Sequence, residues 1–176
     1  DAEKKSLVKM AVLDTMARCC HYSPDGSMIA VGLGGIDANG KRQRKDGAYV
    51  VLSEADLTII HEARDSKQPI SDVKFSPDGA TLALSSHDRC IYLYNVGDFA
   101  TTAKCRGHKG RIEHLDWSED SKYLQSTDDA GELLFWEVES GEQRTARTMQ
   151  NVVWQTQTCP FGWPCLSAWG QHDDGC

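Results

Sequence analysis

The sequence predicts an all-β fold assembled from similar four-stranded units, and two observations lead to this prediction. The first is a signature, an aromatic residue followed by a polar turn, that occurs three times. It reads Tyr22-Ser23-Pro24-Asp25-Gly26, Phe75-Ser76-Pro77-Asp78-Gly79 and, more loosely, Trp117-Ser118-Glu119-Asp120-Ser121. The aromatic residues lie 53 and 42 residues apart, and a period of about 40–45 residues is typical of four-stranded units that cover one another's apolar faces. The second observation is that apolar residues alternate with a period of two, whereas helical periodicity is weak and confined to the first few residues.

The turn of the signature predicts a hairpin at each copy. Proline presets φ, aspartate bonds back to the backbone, and glycine accepts a positive φ. Apolar residues stand five positions before each aromatic residue and six positions after each serine; they are Ala17, Ile70 and Ile112, then Ile29, Leu82 and Leu124. Each copy therefore joins an inner strand to a second strand.

Alternating segments after each hairpin predict a third and a fourth strand. We expect them at residues 48–52 and 57–61 in the first unit, 90–95 and 101–106 in the second, and 132–137 and 142–148 in the third. The first unit also carries an insertion, residues 33–47, which accounts for the longer spacing of 53 residues.

The pattern divides the chain into five parts. Complete units are expected at residues 17–65, 66–107 and 108–148. Residues 1–16 should supply the outer strand of a preceding unit, at 7–13, and residues 149–176 the opening strands of a following one, at 151–158 and 165–169. Since partial units flank the complete ones, we expect the chain to be a piece of a longer protein.

Composition narrows the classes of function. The chain has 176 residues, of which 40% are hydrophobic and 26% charged, so it can bury a core. Its net charge of −7 argues against general binding to nucleic acid or to an anionic membrane. Seven cysteines without a Cys-x-x-Cys pair favour a reduced, intracellular compartment.

These repeats resemble the WD-repeat β-propeller family over nearly the whole chain. The resemblance implies that a His, a Ser, an Asp and a Trp hydrogen-bond across each blade and lock it. In the third blade His108 and Trp136 match, with Asp128 and Ala130 at the Ser and Asp positions unless a one-residue shift brings in Thr127 and Asp129. In the middle blade, the expected lock residues are Ser86, Asp88 and, in place of tryptophan, Tyr94, with Ser66 at the His position. We therefore expect some atypical blades.

A narrower resemblance, to the echinoderm microtubule-associated protein-like family, lies in three segments. They are Asp46-Gly47-Ala48-Tyr49-Val50-Val51-Leu52, then Ile70 to Gly79, and the terminal run Trp154-x-Thr156-x-Thr158, Phe161-Gly162-Trp163-Pro164 and Ala168-Trp169-Gly170. The resemblance implies a tandem pair of propellers and binding to tubulin or microtubules. The hydrophobic ELP motif of that family is not recognisable in this sequence, so the match favours a segment of one propeller.

The resemblance implies a non-enzymatic scaffold whose partners are tubulin or microtubules and other proteins that bind the propeller faces. The expected location is the cytoplasm and cytoskeleton, with the ciliary axoneme as one setting. A generic WD-repeat adaptor in a non-cytoskeletal complex is the alternative, and a propeller-based enzyme is a third.

One basic run stands out in this acidic chain and is a candidate contact for an acidic partner. Lys41, Arg42, Arg44 and Lys45 place four positive charges in five residues within the insertion. The alternative interpretation is a solvated loop that only keeps the edge of the sheet soluble.

The sequence gives no catalytic, cofactor or metal site. The run from Gly35 to Lys41 has phosphate-loop spacing, but Arg42 follows where Ser or Thr is needed, and the context is a hairpin. Cys20 and His21 are neighbours on a strand and point to opposite faces. The cysteines are expected to act as small buried residues.

Overall fold

Three antiparallel sheets follow one another along the chain in a computed structural model that describes residues 7–35, 41 and 45–160. Each sheet has four strands, and within each one every strand pairs with its neighbour in sequence. The first sheet comprises β1 (Ala17–Tyr22), β2 (Met28–Leu33), β3 (Tyr49–Ser53) and β4 (Ile59–Ala63). The second comprises β5 (Ile70–Phe75), β6 (Thr81–Ser86), β7 (Cys90–Asn95) and β8 (Thr101–Arg106). The third comprises β9 (Ile112–Trp117), β10 (Tyr123–Asp128), β11 (Leu133–Glu137) and β12 (Gln143–Arg144). The predicted all-β class is confirmed.

The first hairpin of every sheet closes through the same hydrogen bonds. The serine of each signature donates to the aspartate two residues later, at 2.5, 2.5 and 2.7 Å. Its hydroxyl oxygen also accepts the backbone N–H five residues later, at 2.9 Å in all three hairpins. Gly26 and Gly79 have φ of 72° and 74°, and Ser121 takes the same left-handed conformation with φ of 60°. The looser third copy of the signature therefore folds like the others.

Apolar side chains fill the two spaces between successive sheets. Tyr49 and Val51 of β3 pack with Phe75 and Tyr94 of the second sheet. A second cluster joins Ile91 and Leu93 of β7 to residues of the third sheet, namely Leu115, Trp117, Leu124 and Trp136. Because an isolated sheet would leave such a face in water, each sheet depends on its neighbour for burial.

The N-terminal segment differs from the expectation for it. No strand forms at residues 7–16 in the described part of the chain. Leu13 packs against the outer face of the first sheet, and Lys9 reaches the Glu54 carboxylate at 3.1 Å. A strand needs a partner for its backbone hydrogen bonds. The Met16 carbonyl accepts the Gly34 N–H at 3.1 Å, whereas the contacts that residues 7–13 make with the described part of the sheet involve their side chains.

The C-terminal segment also differs from expectation. The outer strand expected at 142–148 is only two residues long, and a 3₁₀ helix, Ala146–Met149, follows it and buries Met149. No strand forms at 151–158; a single bridge pairs Trp154 with Ser118 there. This segment is held through side chains of the third sheet, as described below. The strand expected at 165–169 lies outside the described residues.

No helix in the described ranges has the length and apolarity needed to cross a lipid bilayer.

Ser121 gives a direct test of the turn geometry. A left-handed conformation strains a residue that has a Cβ, and the Ser121 hydroxyl accepts the Asp78 N–H at 3.1 Å. Ser121→Ala loses this bond and keeps the strain, whereas Ser121→Gly loses the bond and relieves the strain. We expect the glycine variant to be more stable than the alanine variant by about 0.5–1 kcal/mol in urea unfolding. Equal stabilities would contradict this account of the turn.

Candidate functional site

A buried hydrogen-bond chain crosses the third sheet. The Ser126 hydroxyl lies 2.6 Å from His108 Nε2 and accepts the Trp136 indole N–H at 2.8 Å. His108 Nδ1 lies 3.3 Å from Asp128 Oδ2. Burial lowers the pKa of His108, although Asp128 raises it in part. A neutral imidazole that accepts from Ser126 and donates to Asp128 satisfies this geometry.

In this hydrogen-bond chain the serine position is occupied neither by Asp128 nor by Thr127, the two residues that the sequence left open. Ser126 holds the histidine and the tryptophan, and Asp128 takes the aspartate role. Thr127 does neither. Asp129 instead accepts the Arg111 backbone N–H at 2.9 Å in the adjoining turn, and Ala130 donates its N–H to Asp128.

Serine, histidine and aspartate in this order resemble a hydrolytic triad, but the surroundings exclude that chemistry. The side chains of His108 and Asp128 have no exposed surface, and Ser126 is fully buried. The serine hydroxyl oxygen is also occupied by the indole N–H of Trp136. A nucleophile must reach its substrate, so these three residues brace the sheet.

The second sheet uses a different set of groups at the corresponding place. Ser66 and Ser86 share a hydrogen bond of 2.7 Å, and Ser66 also donates to Asp88 at 3.1 Å. Tyr92 donates to Asp88 at 2.5 Å, although it was not among the predicted lock residues. The hydroxyl of Tyr94 was expected to join Ser86 and Asp88, but it donates to Asp65 at 2.6 Å.

A second set of polar contacts, which we call the inner-strand junctions, links the first strands of successive sheets. In each sheet they start from the residue two positions before the signature serine: His21, Lys74 and Asp116. His21 Nδ1 accepts the Phe75 N–H at 3.2 Å, joining β1 to β5. The Lys74 ammonium donates to the Leu115 carbonyl and lies 3.1 Å from Asp116 Oδ1, joining β5 to β9.

Asp116 is the most heavily bonded of these residues. Its carboxylate is fully buried and accepts the Thr158 N–H at 2.9 Å, the Cys159 N–H at 2.9 Å and the Gln125 amide at 3.1 Å. Burial by itself raises the pKa of this carboxyl. Hydrogen bonds from Thr156, Cys159 and Thr158, together with Lys74, outweigh burial and bring the pKa to about 2.

The structure describes two residues of the predicted basic contact. Lys41 is exposed. Lys45 pairs with Glu62 at 2.6 Å and with Asp14 at 3.2 Å, so its charge is compensated within the fold. Arg42 and Arg44 lie outside the described residues.

Among the described residues, one group of side chains is close enough together to bind a metal ion: His108, Asp128 and Glu132. Asp128 Oδ1 already accepts the N–H groups of Ala130 and Glu132, and Asp128 Oδ2 faces His108 and the Gly110 N–H. A cation there would have to displace these bonds, so the cluster serves the hydrogen-bond chain. Five free cysteines are described, namely Cys19, Cys20, Cys90, Cys105 and Cys159.

Sheets of this kind, stacked in sequence order with inner strands side by side, define consecutive blades of a WD-repeat-type β-propeller. The solved structure entitled "Structure of U3-55K" matches 77% of this chain and 40% of its own, with a TM-score of 0.67 at 16% identity. "Crystal Structure of Mitotic Checkpoint Complex" matches 77% of this chain and 38% of its own, with a TM-score of 0.64 at 17% identity. These similarities concern the fold.

Sequence comparison identifies the family. The family model of the echinoderm microtubule-associated protein second beta-propeller matches residues 1–176. Echinoderm microtubule-associated protein-like 4 of Xenopus laevis is 32% identical over 97% of this chain, and protein-like 2 of Rattus norvegicus is 35% identical over 93%. The human protein-like 3 is 32% identical over 99%. The chain therefore belongs to the echinoderm microtubule-associated protein-like family, as the sequence resemblance predicted. It spans 18, 24 and 19% of the length of these three relatives.

Ser126 tests the hydrogen-bond chain of the third sheet. Ser126→Ala leaves the Trp136 N–H and His108 Nε2 without partners in a site closed to water. We expect the free energy of unfolding to fall by about 2–4 kcal/mol. The matched control is Ser140→Ala, which removes an exposed hydroxyl that bonds Glu137 and should cost less than about 1 kcal/mol. Denaturant unfolding measures both, and equal losses would contradict the bracing role.

Asp116 tests the inner-strand junctions through acid stability. Because its folded pKa is about 2, below the ordinary 3.8, its contribution is present above pH 3.8 and is lost as the pH falls towards 2. On acidification, the free energy of unfolding should therefore fall by about 2 kcal/mol less in Asp116→Asn than in the wild type.

The control for this experiment is Asp98→Asn, since Asp98 is exposed and its carboxylate accepts, among the described residues, the local bond from the Ala100 N–H alone. The free energy of unfolding should be measured between about pH 5 and about pH 1, roughly one unit either side of the window. A wild-type slope in Asp116→Asn would show that Asp116 is not held ionised by its neighbours.

Proposed function

We propose that this chain is a non-enzymatic, partner-binding segment of a microtubule-associated protein and that it contributes propeller surface for binding tubulin or microtubules. The observation that carries the proposal is membership of the family over the whole chain. The relatives are named as microtubule-associated proteins. On this proposal the protein works in the cytoplasm on the cytoskeleton, including the ciliary axoneme as one setting.

The arrangement of the sheets supports a binding role. Buried hydrogen-bond chains and inner-strand junctions hold the sheets stiffly, and turns at the strand ends present side chains to solvent. The one described Ser–His–Asp arrangement is sealed from solvent. A rigid body with exposed edge loops is suited to recognition, because little conformational entropy is lost on binding.

The basic run of the insertion is the part of this surface that we assign to an acidic partner. Lys41, Arg42 and Arg44 carry the proposed contact. Lys45 was included in the sequence-based prediction, but its two ion pairs give it a role within the fold. Positive charge on one loop of an acidic chain can steer an acidic partner at low salt.

Removing the positive charges of the basic run tests whether it contacts an acidic partner. In the intact natural protein, Lys41, Arg42 and Arg44 are replaced together by glutamine, and Lys45 is kept so that Asp14 and Glu62 stay paired. We expect microtubule co-sedimentation to weaken at about 50 mM salt and the difference to shrink at about 200 mM, because exposed charges are screened.

A matched control removes the same charge elsewhere. Lys67, Lys109 and Lys122 are exposed, and replacing all three by glutamine gives an equal change in net charge. Co-sedimentation that falls equally in both variants reflects overall charge and contradicts the loop assignment. Unchanged binding across the salt series contradicts it as well.

The alternative is a WD-repeat adaptor that joins proteins in a non-cytoskeletal complex. An intact protein that fails to co-sediment with microtubules at any salt concentration, yet is recovered in a stable complex with other proteins, would favour the adaptor over the microtubule role.

A further inference from the structure

A cavity of about 270 Å³ lies beside the starts of the inner strands, where all three sheets meet. Arg18 comes from β1, His87 from the turn between β6 and β7, and Arg111 from the residue before β9. The remaining lining residues are Gly35, Asp46, Gln68 and Pro69. Each sheet therefore contributes to one concave surface.

No ion pair among the described residues neutralises the two arginines of the cavity. Lys45, Lys74 and Arg144 all form ion pairs. The side chains of Arg18 and Arg111 are exposed and form no ion pair or hydrogen bond with any residue in the described part. Two guanidinium groups thus keep all their donors available at one cavity.

His87 lies close enough to both arginines for their charges to act on its imidazole. Its side chain is 15% exposed, and its pKa is lowered first by burial and then by Arg18, with Arg111 adding to the effect. Glu113, 3.8 Å from Nε2, and Asp129 act in the opposite direction but do not reverse it. His87 Nε2 is buried and has no hydrogen-bond partner among the described residues.

The acidic residue that lines the cavity is already engaged by the fold. Asp46 is 2% exposed, its Oδ1 accepts the Gly35 N–H at 3.1 Å, and its carbonyl oxygen accepts Arg64 Nε at 2.9 Å. Its carboxylate lines the same cavity as Arg18 and Arg111, but among the described residues it forms no ion pair with either guanidinium group. Its charge and that of Glu113 nevertheless favour a singly charged ligand over a phosphate, which carries nearly two charges.

We propose that this cavity binds a carboxylate side chain from an acidic segment of a protein partner. Arg18 and Arg111 donate to the carboxylate oxygens, in the charge-assisted geometry that guanidinium groups favour. His87 Nε2, which has no hydrogen bond among the described residues and lies 3.8 Å from Glu113, provides a third polar group at the same place. The proposal rests on the binding role proposed above, but it does not require the partner to be tubulin.

The test is peptide binding to the intact natural protein, followed by fluorescence anisotropy. The probe is a labelled hexaglutamate peptide at low salt, with hexaglutamine as the uncharged control. We expect hexaglutamate alone to bind, and the double variant Arg18→Gln, Arg111→Gln to bind it about tenfold or more weakly. Lys67→Gln, an exposed change outside the cavity, should leave the affinity within about twofold.

Thermal unfolding is the control for folding: the double variant should unfold at the same temperature as the wild type, so that a loss of peptide binding is not a loss of structure. Wild-type affinity in the double variant, or an equal loss in Lys67→Gln, overturns the proposal. Competition distinguishes the ligand class: acetate should displace the peptide at least as well as inorganic phosphate does. Stronger displacement by phosphate overturns the carboxylate assignment.

Microtubule co-sedimentation separates this proposal from the function on which it rests. If the double variant loses hexaglutamate but still co-sediments normally, the cavity holds a different acidic partner and the microtubule role stands. If the wild type binds hexaglutamate but never co-sediments, the cavity assignment stands and the microtubule role fails.

Discussion

Asp116 joins four segments of the chain through one buried carboxylate. It lies on β9, faces Lys74 of β5 and Gln125 of β10, and accepts backbone N–H groups from Thr158 and Cys159. A carboxylate without water is costly unless its charge is paired and its lone pairs are satisfied. The position of each segment is therefore constrained by the others.

The residue two positions before the signature serine forms a different kind of polar contact in each sheet. His21 accepts a backbone N–H, Lys74 donates to a carbonyl and a carboxylate, and Asp116 accepts from a neighbouring segment. In all three cases the side chain bonds to a later segment of the chain: β5 for His21, β9 for Lys74, and residues 158–159 for Asp116. Because the residue types differ, a search for a repeated residue misses this position. A comparison of the residues two places before each signature serine would have found it.

The strands were predictable because their cause is local. Tyr22, Phe75 and Trp117 each end an inner strand, and the serine-led turn after them closes by bonds within five residues. The segments at 7–13 and 151–158 were predicted as strands of a preceding and a following unit, by extending the repeat pattern beyond the three complete units. Neither segment has a full strand partner among the described residues, and the availability of a partner is a tertiary property that periodicity does not indicate.

The hydrogen-bond chain of the third sheet was only partly predictable. His108 and Trp136 were recognised from their types, but counting from Ser118 led to the wrong serine position. Trp136 pairs with Leu124 across β10 and β11. Side chains alternate along a strand, so the residues of β10 on the same face are Leu124, Ser126 and Asp128. The alternation of side chains along β10, starting from the residue that pairs with Trp136, identifies Ser126. A fixed count of residues from Ser118 does not.

The inner-strand junctions also have a mechanical meaning. His21 connects the first sheet to the second, Lys74 connects the second to the third, and Asp116 connects the third to residues 158–159, so a displacement of one sheet passes to the next part of the chain through these polar bonds. A partner that pulls on a single edge turn meets the combined stiffness of the neighbouring sheets. Strength against pulling is thus distributed along the arc, while the surface that a partner touches remains small.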